Sequence, residues 1–313
     1  MPFRWIRKPA ILGLGLSATL AAALSGCGDQ TADKDVAIVD APNAKTNTGT
    51  SAPAAGSKAA SSSAAGASTG AAASGSGGAT VKAEGWGTLK GKVVFGGTPP
   101  PQPVLQEVGK AIKNPEVCAK DTPIMSERLV VNAGNKGVKN VFVYLQRPTA
   151  VNEDAKKAAA SAHPDFDQKN CTYIPHALAL MAGVTVTLKS SDSTNHNVSF
   201  QLRNFSQNPL IAPGKTMDVT PDTPERGPGM VSCSIHPWMQ AYWLVLDHPY
   251  FAVTDENGNF EIKNAPAGTQ KVVAWQEAAG YVTPASGEAV NIKPNDTTTQ
   301  DFTVDPAKIK PAS

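Results

Sequence analysis

From about residue 86 onward, short apolar runs alternate with clusters of turn-forming residues. In residues 184–188 apolar and polar side chains alternate, which predicts a strand with one buried face. A strand is also predicted at residues 138–145, where Val141, Val143 and Leu145 alternate with Phe142 and Tyr144, so both faces of that strand are expected to be buried. The other strands predicted in this part of the chain cover residues 87–95, 129–132, 177–180, 197–202, 216–219, 229–233 and 242–246. Only one helix is predicted, at residues 152–162, so the pattern indicates an all-β protein built from sandwiches.

After residue 248 the pattern changes to closely spaced hairpins. Strands are predicted at residues 251–254 and 259–262, with a β-turn at 255–258 between them, and an apolar strand follows at 271–275. The hairpin reads Thr-Asp-x-x-Gly-x-Phe and is followed by Pro-x-Gly. This series resembles the carboxypeptidase regulatory-like, or transthyretin-like, module, which is a small β-sandwich.

The strand predicted at residues 87–95 resembles the first strand of the same module. The stretch that follows residue 248 is short for a complete domain of this kind. The short length favours one module that is split into residues 85–147 and 249–304 around a second domain at residues 148–248, over a separate module after that domain.

The first 26 residues have the composition of a lipoprotein signal peptide. A basic start is followed by a short apolar run, and the run ends at the small residues that precede Cys27. Cys27 is therefore the predicted lipidation site. Residues 27–84 are rich in Ala, Ser and Gly and are predicted to form a disordered tether. We expect an exported protein of the cell envelope that is lipid-anchored to a membrane, on its periplasmic or outer face.

The formal net charge of the whole chain is +2, and three of its basic residues lie in the predicted signal peptide. Cleavage would leave a mature chain of about −1. This charge gives no support to a nucleic-acid partner.

Four residues of types that bind soft metals are grouped in the second half of the chain. Cys233, His236 and Met239 follow one another at intervals of three residues, and His196 lies upstream of them. Two imidazoles and a thiolate with an axial thioether are the ligands of blue-copper electron-transfer sites. The alternatives are a structural zinc site, which makes little use of a thioether, and a fold that has lost its metal.

The spacing of these residues resembles the ligand loop of the cupredoxins, in particular that of the amicyanin branch. His196-Asn197-Val198 matches the His-Asn-Val of the family, and residues 182–188 resemble the strand that leads to the first ligand. The resemblance implies a Greek-key cupredoxin sandwich at residues 148–248 with one mononuclear copper site, held by His196, Cys233, His236 and Met239. It further implies that Asn197 ties the two ligand segments together. The pairing of these two modules resembles methylamine-utilisation-like bacterial lipoproteins.

Two cysteines remain, Cys118 and Cys171. In an oxidising compartment they are predicted to form a disulfide. The alternative is a second copper site made from Cys118, Cys171 and His176. For His176 itself a structural role is the simpler interpretation.

The site and the predicted location indicate a one-electron carrier that exchanges electrons with redox partner proteins. A site with four protein ligands has no open position for a substrate, so an enzyme is not expected. Pro237, Trp238 and Tyr242 are predicted to form a small docking patch near His236. Two alternatives remain open: copper storage, delivery or sensing, and an adhesion or carbohydrate-binding lipoprotein in which copper is structural.

Overall fold

Residues 84–311 are described by a computed structural model. The predicted signal peptide, Cys27 and the predicted tether up to residue 83 lie outside the described residues. Between residues 84 and 311, no helix has the length and apolarity that crossing a membrane requires.

Nearly all of the regular secondary structure in the described residues is strand, which confirms the all-β prediction. The strands are, in chain order, β1 (Trp86–Phe95), β2 (Val104–Gln106), β3 (Ile124–Met125), β4 (Phe142–Leu145), β5 (Asp165–Lys169), β6 (Thr172–Ile174), β7 (Ala177–Met181), β8 (Val186–Ser190), β9 (His196–Asn197), β10 (Ser199–Gln201), β11 (Leu210–Ile211), β12 (Thr216–Val219), β13 (Gly229–Ser232), β14 (Gln240–Leu246), β15 (Phe251–Val253), β16 (Asn259–Pro266), β17 (Gly268–Gln276), β18 (Gly280–Tyr281), β19 (Glu288–Ile292), β20 (Thr297–Thr299) and β21 (Phe302–Val304). Helix α1 (Glu153–Ala160) follows β4, and a 3₁₀ turn (Pro306–Lys308) follows β21.

The first sandwich consists of the sheets β12-β8-β5-β6 and β10-β13-β14-β7. Its core is centred on the buried Trp243, whose ring meets the edges of Phe166 and Phe200 at centroid distances of 5.0 and 4.9 Å. Along β8 the side chains alternate between buried and partly exposed positions, as the sequence pattern predicts. The strands that carry the candidate metal ligands therefore rest on a large aromatic core.

The second sandwich combines strands from the two ends of the described chain. Strand β1 pairs antiparallel with β16 and parallel with β20 and β21. Strand β4 pairs with β15 and β17, and β18 and β19 add to β17. The chain thus leaves the second sandwich after β4, forms the first sandwich, and returns at β15.

The two sandwiches pack on each other through β4, whose four residues are all buried. Val143 and Leu145 point into the core of the second sandwich. Phe142 and Tyr144 point the other way, into a cluster with Leu244 of the first sandwich. The prediction that both faces of this strand are buried is confirmed, because each face has its own apolar partner.

Two of the differences between the structure and the predicted pattern lie before β4 in the chain. Residues 129–132 do not form a strand, because only Val131 pairs, in a single bridge to Val138. Residues 104–125, which precede β4 and contain β2 and β3, pack in part on the core of the first sandwich through Ala111, Cys118, Ala119 and Ile124. We call residues 104–125 the cap segment.

Candidate metal centre

Three of the predicted ligands lie on one short loop between β13 and β14. The loop is closed by the backbone, since the Cys233 N–H donates to the Met239 carbonyl (3.1 Å) and the Met239 N–H donates to the His236 carbonyl (2.9 Å). The side chains of all three residues are buried. The β-hairpin frame thus holds a thiol, an imidazole and a thioether within seven residues.

The fourth predicted ligand, His196, begins β9, which pairs with β11. Its Nδ1 atom lies 2.9 Å from Nδ1 of His236. Cys233 Sγ lies 3.9 Å from the same His236 nitrogen. One ligand atom from each of these three residues falls within 4.8 Å of the others, and both imidazoles are fully buried. The fold therefore brings together groups that are up to 40 residues apart in the chain.

The outer nitrogens of the two rings have fixed partners. His196 Nε2 lies 2.9 Å from Asp192 Oδ2, and His236 Nε2 lies 3.1 Å from Asn114 Oδ1. The orientation of the Asn114 amide is supported by its Nδ2, which donates to Glu116 Oε1. A carboxylate and an amide oxygen only accept hydrogen bonds, so both rings must carry their proton on Nε2.

This tautomer assignment leaves two lone pairs facing each other. In two neutral rings both Nδ1 atoms would be unprotonated acceptors at 2.9 Å, with the sulfur of Cys233 beside them. Such an arrangement in a buried site needs a cation between the acceptors, either a proton or a metal ion. Imidazole ligands whose second nitrogen donates to a carboxylate or carbonyl group are the usual form in metal sites. The donor set therefore fits a metal ion.

The charges in the site favour an ionised sulfur. Burial alone would raise the pKa of Cys233, but the interactions of its sulfur with His196 and His236 outweigh burial and lower that pKa to about 5. Burial opposes the charged form of His196 as well, whereas the Asp192 carboxylate and Cys233 raise the pKa of this imidazole. Thiolates rather than thiols bind metals, so the sulfur is prepared for coordination near neutral pH.

Asn197 joins the two ligand segments, which is the role that the resemblance implies for it. Its Oδ1 accepts the N–H of Ser234 (2.8 Å) and lies 3.3 Å from Cys233 Sγ. Its Nδ2 donates to Asn208 Oδ1 (2.5 Å). The Asn197 carbonyl accepts the hydroxyl of Tyr173 (2.5 Å). Burial, followed by the nearby Cys233, raises the pKa of this tyrosine well above its usual value. It therefore acts as a neutral donor.

Cys118 and Cys171 form a disulfide, with their Cα atoms 5.2 Å apart. His176 does not join them: its Nε2 lies 2.7 Å from Glu277 Oε2, and its Nδ1 lies 3.8 Å from Glu127. A second metal site made from these two cysteines and His176 is therefore not assembled in this structure. Glu277 directly follows β17, so the His176–Glu277 contact links the two sandwiches.

The predicted docking residues line one side of a cavity of about 510 Å³. Pro237 is exposed, whereas Trp238 and Tyr242 are half-buried. The Trp238 ring packs on His236, and its Nε1 donates to the Cys171 carbonyl (3.1 Å). His236 itself is fully buried, and Asn114 of the cap segment lies over its outer nitrogen.

Sequence reasoning missed the two outer partners of the imidazoles. Asp192 lies four residues before His196, so an acidic residue so close to a predicted ligand was a usable signal. Asn114 lies 122 residues from His236, and nothing in its local sequence marks it as a partner.

No protein-family model matches the chain. No curated protein matches it either. Among solved structures, the chain is similar to a reduced amicyanin variant, at 22% identity over 28% of this chain and 88% of the amicyanin, with a TM-score of 0.24. It is similar to a purple cupredoxin from Nitrosopumilus maritimus, at 23% identity over 27% of this chain and 99% of that protein, with a TM-score of 0.23.

A copper-containing nitrite reductase from Thermus scotoductus SA-01 is similar at 20% identity over 27% of this chain, with a TM-score of 0.24, and this chain spans only 22% of the reductase. TM-scores of this size establish neither a shared fold for the whole chain nor a shared activity. The metal centre is therefore judged by the geometry of its own residues.

Proposed function

We propose that the protein binds one copper ion through His196, Cys233, His236 and Met239 and acts as a one-electron carrier in the bacterial cell envelope. The observation that carries this proposal is the pair of imidazole Nδ1 atoms that face each other at 2.9 Å beside the sulfur of Cys233. Their outer nitrogens are already committed to Asp192 and Asn114, so a metal ion is the partner that satisfies the inner ones.

Copper is favoured over zinc by the thioether of Met239. Met239 is buried and closes the loop that carries Cys233 and His236. A thioether is a soft ligand that suits copper and is of little use to structural zinc. Bound copper would supply a couple between two oxidation states that differ by one electron.

The surroundings of the ligands favour electron transfer over catalysis. The hydrogen bonds to Asp192 and Asn114 hold both rings in place whatever the charge between them. Burial of both imidazoles keeps water from the metal position. Four protein ligands without water leave no position at which a substrate would bind, so the proposal includes no enzymatic activity.

The cellular setting of the proposal comes from the sequence. Lipidation at Cys27 and a tether would hold the folded part near a membrane on the periplasmic or outer face. The second sandwich would be the split transthyretin-like module, and it would serve as the support of the copper domain. Redox partner proteins would dock beside Pro237, Trp238 and Tyr242, a small surface typical of redox encounters.

A spectroscopic titration tests this proposal. Purified full-length protein is titrated with Cu(II) and followed by visible absorption and EPR, beside Cys233→Ser and, as a matched control one residue away, Ser234→Ala. An intense thiolate-to-copper band is expected that saturates at one copper per chain, persists in Ser234→Ala and is absent in Cys233→Ser. A colourless protein would overturn the copper site.

Voltammetry then separates electron transfer from copper handling. A carrier shows a reversible couple and slow loss of copper to a chelator. A storage or delivery protein shows rapid loss of copper and a poorly reversible couple, and that result would favour the alternative function.

A further inference from the structure

The disulfide lies directly against the candidate metal centre. Both of its sulfur atoms lie within 4.8 Å of a ring nitrogen of His236, and Cys171 Sγ lies within the same distance of a ring nitrogen of His196. Both half-cystines are fully buried. Disulfides that only join surface loops have no such relation to a metal site, and neither the proposed electron carrier nor its four ligands requires one here.

Each half-cystine is also connected to the outer partner of one imidazole. The Cys171 N–H donates to Asp192 Oδ2 (2.8 Å), the same oxygen that accepts from His196. The Cys118 N–H donates to the carbonyl of Asn114 (2.7 Å), whose side chain accepts from His236. The disulfide therefore joins the two supports that orient the two rings.

The cap segment depends on this covalent link. Next to the disulfide it makes three polar contacts with the first sandwich. Asn170 accepts the N–H of Ala119 (3.1 Å) and donates to Thr122 Oγ1 (3.2 Å), and Asn114 Oδ1 lies 3.1 Å from His236 Nε2. Hydrogen bonds of this kind are weak compared with a covalent bond. Opening the disulfide would remove the covalent link between the cap segment and the first sandwich beside the metal centre.

We propose that reduction of the Cys118–Cys171 disulfide creates a second, alternative Cu(I) site, whose ligands are the two released thiolates and a ring nitrogen of His236. Two thiolates with one imidazole form a soft ligand set of the kind that Cu(I) prefers. Because His236 belongs to both sets, the state of the disulfide selects which set holds the copper. We call the proposed site of His196, Cys233, His236 and Met239 the first site. The inference rests on the proposed function insofar as the copper comes from this first site.

The chemistry requires a dithiol as reductant. The dithiol transfers two electrons and two protons: the S–S bond breaks, Cys118 and Cys171 become thiols, and the dithiol becomes a disulfide. Binding of Cu(I) then displaces the two thiol protons into solvent. No other oxidant or reductant takes part.

The test uses full-length Cys233→Ala protein, in which the first site has lost its thiolate. One sample is kept oxidised, and the other is reduced with dithiothreitol and freed of reductant by anaerobic gel filtration. Each is titrated with Cu(I) against bathocuproine disulfonate, a coloured Cu(I) chelator. The reduced sample is expected to bind one Cu(I) at least about tenfold more tightly than the oxidised sample. Adding Cys118→Ser and Cys171→Ser should abolish this gain, and adding His236→Ala should reduce it at least about tenfold.

Three results would overturn the inference. The first is equal Cu(I) affinity of the oxidised and reduced samples. The second is an undiminished gain with His236→Ala, since the thiolates would then bind copper without the shared imidazole. The third is a thiol count showing that dithiothreitol leaves the disulfide intact in the folded protein. If the double serine variant lacks the near-ultraviolet circular dichroism of a folded core, reduced Cys233→Ala protein alkylated with iodoacetamide replaces it as the control.

The two proposals fail separately. Absence of the blue band in oxidised wild-type protein would overturn only the four-ligand copper site. Absence of a reduction-dependent gain in Cu(I) affinity in the Cys233→Ala protein would overturn only the second site.

Discussion

The two sandwiches bury polar side chains for different purposes. In the second sandwich several of these side chains pair with backbone groups. Thr254 Oγ1 accepts the N–H of Val141 and donates to the Val138 carbonyl, and Gln276 Oε1 accepts the N–H groups of Ala278 and Ala279. In the first sandwich, two imidazoles and a thiol point at one another.

This difference separates a structural role from a functional one. Neutral side chains that pair with backbone groups, such as Thr254 and Gln276, are satisfied within the protein and need no ligand. Facing acceptors such as the Nδ1 atoms of His196 and His236 cost free energy unless a cation lies between them. A buried polar cluster of this second kind is therefore a signal for a ligand, even in a fold otherwise held together by its apolar core.

The largest effect is expected from Asp192→Ala, which removes the hydrogen bonds that the Asp192 carboxylate accepts in the first sandwich. Asp192 accepts the N–H groups of Asn170 and Cys171 as well as His196 Nε2. Loss of these bonds at a buried position should lower the free energy of unfolding by about 3 kcal/mol. Copper affinity should fall by about 10- to 100-fold. Denaturant unfolding and copper competition measure the two effects, and Asp192→Asn, which keeps an acceptor, should lose less of both.

A matched change in the second sandwich is Thr254→Val, which keeps the size of the side chain and removes its hydroxyl. Two buried backbone groups, the Val141 N–H and the Val138 carbonyl, lose their partner. The free energy of unfolding should fall by about 2 kcal/mol. Copper affinity should stay within about twofold of wild type, since Thr254 contacts no ligand. A tenfold loss of affinity would mean that Thr254 supports the metal centre as well as the backbone of its own sandwich.

A smaller effect is expected at the contact between the sandwiches. Glu277→Gln keeps an acceptor for His176 but removes the charge of a buried partner that lies 2.7 Å away. The free energy of unfolding should fall by about 1 kcal/mol, measured by denaturant unfolding, without a change in the copper spectrum. Loss of the blue band in this variant would mean that the second sandwich shapes the metal centre directly.

The last effect on stability is that of pH in the metal-free protein. The folded-state pKa of Cys233, about 5, lies below its ordinary value of 9.0, so the stabilisation from its thiolate is lost as pH falls toward 5. The pKa of His196 is raised above 6.5, so its contribution is present below pH 6.5 and is lost as pH rises through its folded value. Above pH 6.5 the two contributions to stability therefore change in opposite directions as pH rises.

The contribution of Cys233 should therefore be visible mainly between pH 5 and 6.5. As pH is lowered over this interval, the free energy of unfolding should fall more for wild type than for Cys233→Ser. The ultraviolet absorbance of the thiolate should fall with an apparent pKa near 5. A thiolate that disappears below pH 8 or 9 would contradict the hydrogen-bonded site.

Predictions from sequence succeeded where the signal is local. The strand predicted at residues 216–219 coincides with β12, and the start of the helix agrees with Asn152, whose side chain caps α1 by accepting the Ala155 N–H. Strands β20 and β21 were not predicted, because most of their stability comes from pairing with β1 about 200 residues away in the chain. Short polar runs such as 297–299 have no periodic pattern of their own.

The sequence by itself determined the all-β class and the placing of Cys233, His236 and Met239 on one tight loop, because these depend on side-chain alternation and on spacings of a few residues. Only the tertiary structure decided that Asn114 covers His236, that Asp192 orients His196 while also holding Cys171, and that the disulfide lies against both imidazoles. These contacts join segments that are far apart in the chain, and they form only when the apolar cores bring the sheets and the cap segment together. Their geometry follows from packing, for which no local pattern of residues exists.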